Sequence, residues 1–237
     1  MKRIAIIQSA YVPWRGFFDL IGRCDEYVIF DSVQYARRHW HNRNKIITPG
    51  GPIWITIPVA TKSRFEQPIE EVTISEPWAE RHWRTFVANY RRAAHFDSLS
   101  PRIERWFEVA AKEVLLTCIN EIFLREVASL LRLRTTFTRD TKYHPTGSKS
   151  ARLIDICTKA NATHYLSGPS ARAYLDETAF RNAGIVLEWM TYPSYPPYTQ
   201  VWGGFVPAVS ILDLLFNAGS DCEPFWNSAA RQYPAST

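Results

Sequence analysis

The feature that most constrains the fold is the opening of the chain, where two aliphatic runs flank a short loop and an amphipathic segment. Ile4 to Ile7 contains no polar residue, and such a run reads as a strand covered on both faces. Gln8 to Arg15 forms a loop containing Pro13. Gly16 to Arg23 puts Phe17, Leu20 and Ile21 on one side of a short helix. Tyr27 to Phe30 reads as a second strand, ending at Asp31. Two strands joined through a helix run parallel, so the opening predicts an α/β fold on a Rossmann-like parallel sheet.

The rest of the chain fits that frame. Ser32 to Lys45 reads as a polar loop, Ile53 to Val59 as a strand after the turn Pro49-Gly50-Gly51-Pro52, and Val72 to Ile74 as a short strand. The middle is helical. One helix begins near Pro77 with Ser75 as its cap, a second spans Pro101 to Lys112, and a third spans Leu115 to Leu133. Helices at Ala151 to Lys159, Tyr174 to Asn182 and Val209 to Asn217 alternate with strands at His164 to Leu166 and Ile185 to Met190. This predicts one α/β domain over 1–222, with a helical insertion at 76–135 capping the sheet and a loose tail at 223–237.

Composition narrows the function classes. Hydrophobic residues at 46% and charged residues at 22% suit a folded domain and not a disordered chain. No apolar run reaches the ~20 residues that span a bilayer, and the aliphatic run after Met1 is too short for a signal peptide, so a cytoplasmic protein without a membrane span is expected. Four scattered cysteines form no CxxC pair and read as reduced thiols. The net charge of +5 favours anionic partners, and 14% aromatic residues suit flat ligands. No metal-ligand spacing occurs among the six histidines, so no metal is expected, and the sequence names no cofactor.

Four segments can carry chemistry. The loop from Gln8 through Tyr11 and Trp14 to Gly16 lies where ligands bind in parallel sheets, beyond a strand's carboxyl end and before a helix N-terminus. The segment Gln34 to Lys45 concentrates Arg38, Trp40, Asn42, Arg43, Asn44 and Lys45, offering guanidinium forks for phosphate, amides for hydroxyls and an indole for stacking. His82, beside Trp83 on the middle helix, is an acid/base candidate through its imidazole. Ser167 and Gly168 close a strand, and Tyr198, Gln200 and Asp213 follow as candidates for a polar pocket, joined by Asp31 at the end of the second strand. Each also has a structural reading, as loop packing, solvated surface, core histidine or helix tie.

Several stretches resemble the WbqC-like family: Ile6-Ile7-Gln8, Tyr11 to Ile21, Phe30 to Tyr35, Trp40 to Ile46, His82-Trp83, Tyr165 to Gly168 and Ser210 to Gly219. Where the family often has Gln-Pro this chain has Gln8-Ser9. The resemblance implies a place in bacterial surface polysaccharide synthesis. It points to an acyl- or aminoacyl-transferase or amide ligase acting on the amine of a nucleotide-linked sugar. In that reading Arg38, Arg43 and Lys45 hold phosphates, Trp14 or Trp40 stacks on a base, and Gln8, Asn42 and Asn44 orient the substrate. His82 or Asp213 takes the proton, and the donor is an adenylate, a thioester or an aminoacyl-tRNA. The order of elements is also similar to the nucleotidylyltransferase-like superfamily, whose first loop carries histidines where this chain has Trp14 to Phe17. The rival readings are a non-catalytic nucleotide-sugar or RNA binding module and a metal-independent glycosyltransferase-like enzyme.

Overall fold

The computed structural model describes residues 1–61, 64 and 66–227. Five parallel strands form the central sheet: β1 (Arg3–Ile7), β2 (Glu26–Ile29), β5 (Thr136–Arg139), β6 (His164–Ser167) and β7 (Val186–Trp189). They lie in the order β5-β2-β1-β6-β7. Ile4 pairs with Glu26 on one side of β1 and with Tyr165 on the other. The chain therefore winds outward from β1 in one direction, then crosses to its other side at β6. That reversal opens a crevice beyond the carboxyl ends of β1 and β6.

Side-chain alternation splits the core into two layers. Ala5, Tyr27 and Ile29 face the larger layer with α1 (Arg15–Gly22) and α4 (Leu116–Leu130). Ile4, Ile6, Val28 and Tyr165 face the smaller one with α5 (Lys149–Lys159) and α6 (Glu177–Asn182). Between β4 (Gly51–Thr56) and β5, α2 (Ala79–Tyr90), α3 (Phe96–Ala110) and α4 extend the larger layer through Phe86, Tyr90, Phe107 and Phe123. α7 (Ile211–Ala218) is capped by the Ser210 hydroxyl, which accepts from Leu212 N, and stops at Gly219, whose φ of 80° suits glycine.

Several boundaries differ from expectation. The polar loop ends early, because Arg43–Thr48 is strand β3, paired antiparallel with β4. Its inward positions include Asn44, which hides the alternation. Val72 to Ile74 contributes only isolated bridges, Val59 to Ile74 and Thr73 to Leu115. α2 starts at Ala79, where the buried Trp78 anchors its entry, with Ser75 and Pro77 preceding the helix. Pro101 lies inside α3, because burial of Phe96 and Leu99 extends the helix ahead of it. The expected tail begins with α8 (Glu223–Trp226), whose Trp226 is buried, and 228–237 lie outside the described residues. Among the described residues no helix is long and apolar enough to cross a membrane, and all four cysteines are free thiols.

Candidate functional site

Two cavities meet at the carboxyl end of β1, sharing walls made by Ile7, Gln8 and Phe17. The narrower, about 300 Å³, is largely apolar and aromatic, enclosed by Trp14 and Trp40 with His39 and His41 beside them. The wider, about 670 Å³, reaches Ser167 and Gly168 at the end of β6 and Lys149 and Arg152 at the start of α5. Together they occupy the crevice that the strand order creates, and each falls in the size range of small-molecule sites.

The loop between β1 and α1 is fixed by buried polar ties. Ser9 N donates to Asp31 Oδ1 at 2.8 Å, and Thr117 Oγ1 donates to Asp31 Oδ2 at 2.6 Å. Asn120 Nδ2 donates to Ser9 Oγ and to the His41 carbonyl, both at 2.9 Å. Tyr11 N donates to the Trp40 carbonyl at 3.0 Å, which joins the two sequence-predicted loops. Val12 has a φ of 37°, a left-handed conformation costly for a β-branched residue. Asn44 holds it there: its Nδ2 donates to the carbonyls of Tyr11 at 3.1 Å and Val12 at 2.8 Å. Asn44→Ala leaves both carbonyls buried without this donor. It is expected to lower the unfolding free energy by about 2 kcal/mol, measured by urea denaturation, with Asn44→Asp no better because it supplies no N–H.

His41 is poised in one tautomer. Its Nδ1 lies 3.0 Å from the Ser9 carbonyl, which can only accept, so Nδ1 carries the proton and Nε2 the lone pair. Burial pushes the imidazole down to about 4, with the neighbouring His39 adding to the shift. The His39 and His41 rings stand 4.6 Å apart, and burial lowers His39 as well. Both are therefore neutral at pH 7, acceptors rather than cations.

The structure sorts the sequence-predicted residues into three groups. Gln8, Trp14, Trp40 and Asn44 line the narrower cavity, and Gln8, Ser167 and Gly168 the wider one. Gly16 supports this wall differently than expected: a Cβ there would meet the Trp14 ring at 2.4 Å, so the glycine makes room for the indole, not for a ligand.

A second group ties the fold. His82 is buried, with Nδ1 2.8 Å from the Tyr11 hydroxyl and Nε2 3.2 Å from the Thr56 carbonyl, and neither it nor Tyr11 is among the cavity-lining residues. Asp213 is fully buried and accepts from Tyr90, Tyr198 and Gln200. Asn42 donates to the Ile57 carbonyl and Asp31 anchors Ser9. His82 and Asp213, expected at the reacting centre, line neither cavity, and their polar atoms hold elements together.

The third group lies outside the cavities. Arg43 and Lys45 stand over the outer ring of Trp54, at 4.2 and 5.0 Å, and Arg43 donates to the Arg38 carbonyl. Arg38 and Gln34 are exposed, and the bridge between Gln34 and Pro68 ties the former's backbone to a distant loop. The phosphate grip expected of Arg38, Arg43 and Lys45 is not built into either cavity. The cations that do line a cavity, Lys149 and Arg152, are ones that sequence reasoning missed. The run Gly147-Ser148-Lys149-Ser150 ahead of an amphipathic helix was the available signal. Among the described residues no group of three His, Cys, Asp or Glu could hold a metal ion.

A five-stranded parallel sheet flanked by helices, with a cleft at its switch point that is aromatic in one lobe and cationic in the other, defines an α/β-fold protein. Within that class the chain belongs to the WbqC-like protein family, whose model matches residues 8–223. It is 44% identical over 226 residues to an uncharacterized protein of Mycobacterium tuberculosis, covering 95% of this chain and 97% of that protein. No solved structure matches it significantly.

Proposed function

We propose that the protein is a cytoplasmic enzyme that transfers an acyl or aminoacyl group to the amine of a nucleotide-linked sugar or similar small amine, in bacterial surface polysaccharide or related synthesis. The observation that carries this reading is the narrower cavity, where two indoles and a neutral histidine pair flank Gln8 at the end of β1. Indole faces favour a flat base or sugar ring, and Gln8 offers an amide to its polar edge.

In the transfer, the amine nitrogen attacks the acyl carbonyl carbon. The bond from that carbon to the carrier's oxygen or sulfur breaks, and the carrier leaves as AMP from an adenylate, or as a hydroxyl or thiol that takes the proton the nitrogen sheds as the amide forms. The ammonium must first lose a proton, and His39, the more exposed ring of the pair on the cavity wall, is its acceptor in this reading, since His41, pushed down to about 4, holds a proton too weakly for that task. A charged RNA as donor is favoured by the surface beside the cavity mouth. There Trp40 and Trp54, each 42% exposed, pack with centroids 5.1 Å apart, and Arg43 and Lys45 flank Trp54.

The test is a mass-spectrometric assay of amino-sugar nucleotides with three donors: acyl-CoA, amino acid with ATP, and aminoacyl-tRNA. Binding is followed in parallel by calorimetry. Trp14→Ala is expected to weaken nucleoside binding by about 5- to 150-fold, the equivalent of about 1–3 kcal/mol for one stacked base. Gly16→Ala should do the same by displacing the indole, with the melting temperature of each variant as control. Unchanged binding in both variants removes the ring from this cavity, and no product with any donor leaves a binding module.

A further inference from the structure

We propose that the wider cavity is a phosphate or diphosphate site, in which Lys149 and Arg152 receive the anionic part of the ligand whose ring occupies the narrower one. The placement of the ring rests on the function proposed above; the anion site has its own observations. The cavity lies at the switch between β1 and β6, against Gln8, Ser167 and Gly168. Two cations line it, and no carboxylate does among the described residues.

Lys149 is exposed and has no ion-pair partner among the described residues. Arg152 is held from behind: its Nη2 donates to Ser32 Oγ at 2.6 Å, and Ser32 in turn bonds Asp140. Its guanidinium lies 5.7 Å from the Phe30 ring centre. Its Nε is shut off from solvent without an acceptor. The guanidinium therefore meets an anion in the cavity through its terminal nitrogens, the atoms that form charge-assisted forks with phosphate. Asp140 tempers the charge of Arg152 through Ser32, so Lys149 supplies the uncompensated cation. The 11-residue helix α5 begins at this wall, and the Ser148 side chain makes no cap bond to its first turn, so the positive end of the helix dipole adds to the two cations. This reassigns the phosphate role from Arg43 and Lys45, which the Trp54 ring occupies.

Calorimetry on the full chain with a nucleoside, its diphosphate and inorganic pyrophosphate tests the site. The wild type is expected to bind the diphosphate more tightly than the nucleoside. Lys149→Gln and Arg152→Gln should each weaken diphosphate and pyrophosphate by about tenfold or more while sparing the nucleoside. Arg84→Gln, an exposed cation on α2 that lines neither cavity, should change neither. Lys149 is a surface residue, so its variant keeps the fold even if loss of the Arg152–Ser32 bond unsettles the other. Full diphosphate affinity in both variants overturns the site and leaves the ring reading intact. Lys149-dependent pyrophosphate binding without nucleoside binding upholds the site and overturns the ring reading. Binding of none of the three ligands overturns both.

Discussion

Between pH 7 and 4 the protein is expected to lose stability steeply, and His82→Gln should flatten part of that fall. Burial pushes both His41 and His82 from their ordinary value of 6.5 down to about 4. Above pH 6.5 neither folded nor unfolded chain carries a proton on these rings, so they contribute no pH dependence. As the pH falls below 6.5 the unfolded chain takes up protons that the folded rings refuse, and the balance shifts toward unfolding until the folded rings protonate near 4. The full shift corresponds to about 3 kcal/mol for each ring, a large fraction of the about 5–15 kcal/mol that holds a typical domain. Asp31 and Asp213 work in the opposite direction, since burial raises both carboxyls and the folded chain then gains protons first as the pH drops. That contribution is common to wild type and variant and cancels in their difference. Gln at this position can still donate to the Thr56 carbonyl and accept from the Tyr11 hydroxyl. Urea midpoints at pH 7, 5.5 and 4.5 should therefore converge as the pH falls, with the variant losing less. Parallel loss in both proteins would show that the His82 ring takes up its proton as readily in the folded state as in the unfolded one.

The sheet is legible in the sequence because a strand covered on both faces needs an unbroken aliphatic run, as at Ile4 to Ile7. β3 is not, because its inward Asn44 satisfies two carbonyls of a distant loop, a role that local sequence does not record. The two early loops meet through the Tyr11–Trp40 backbone bond and share the narrower cavity through Trp14 and Trp40, while Arg43 and Lys45 of the second loop stand over Trp54 outside it. The chemistry is harder to place. His82 and Asp213 look catalytic in sequence because an isolated polar residue on an apolar face reads the same whether its partners are present or missing. Their partners come from residues far along the chain, Tyr11 and Thr56 for one, Tyr90 and Tyr198 for the other. Arg43 and Lys45 suggest phosphate by residue type alone, whereas an indole face on the neighbouring strand draws both cations outward. Lys149 and Arg152 escape notice because only the strand order, with β1 beside β6, brings residue 8 next to residues 149 and 152.

Asp213→Ala is expected to cost the fold about 3 kcal/mol or more, because the carboxylate is the shared acceptor for three buried donors. The hydroxyls of Tyr90 and Tyr198 reach it at 2.8 and 2.6 Å, and Gln200 Nε2 at 2.8 Å. Tyr90 carries the connection onward, its oxygen accepting from Ile47 N of β3 at 2.9 Å, and Gln200 carries it to the backbone of Val206. One side chain on α7 thus fastens α2, the β3–β4 hairpin and the 198–206 loop. Burial holds its carboxyl above the ordinary range, against the pull of these three donors, so part of their energy offsets desolvation. Alanine removes every acceptor at once. Asp213→Asn keeps one oxygen but sets a second amide against Gln200, and its loss is intermediate. The expected order of urea midpoints is therefore wild type, Asp213→Asn, then Asp213→Ala. Nucleoside binding by the folded fraction should stay within about twofold of wild type, since the carboxylate lines neither cavity. If Asp213→Ala instead unfolds at the wild-type midpoint but fails to transfer the acyl group, the carboxylate acts on the substrate, and the proton-accepting role passes to it from His39.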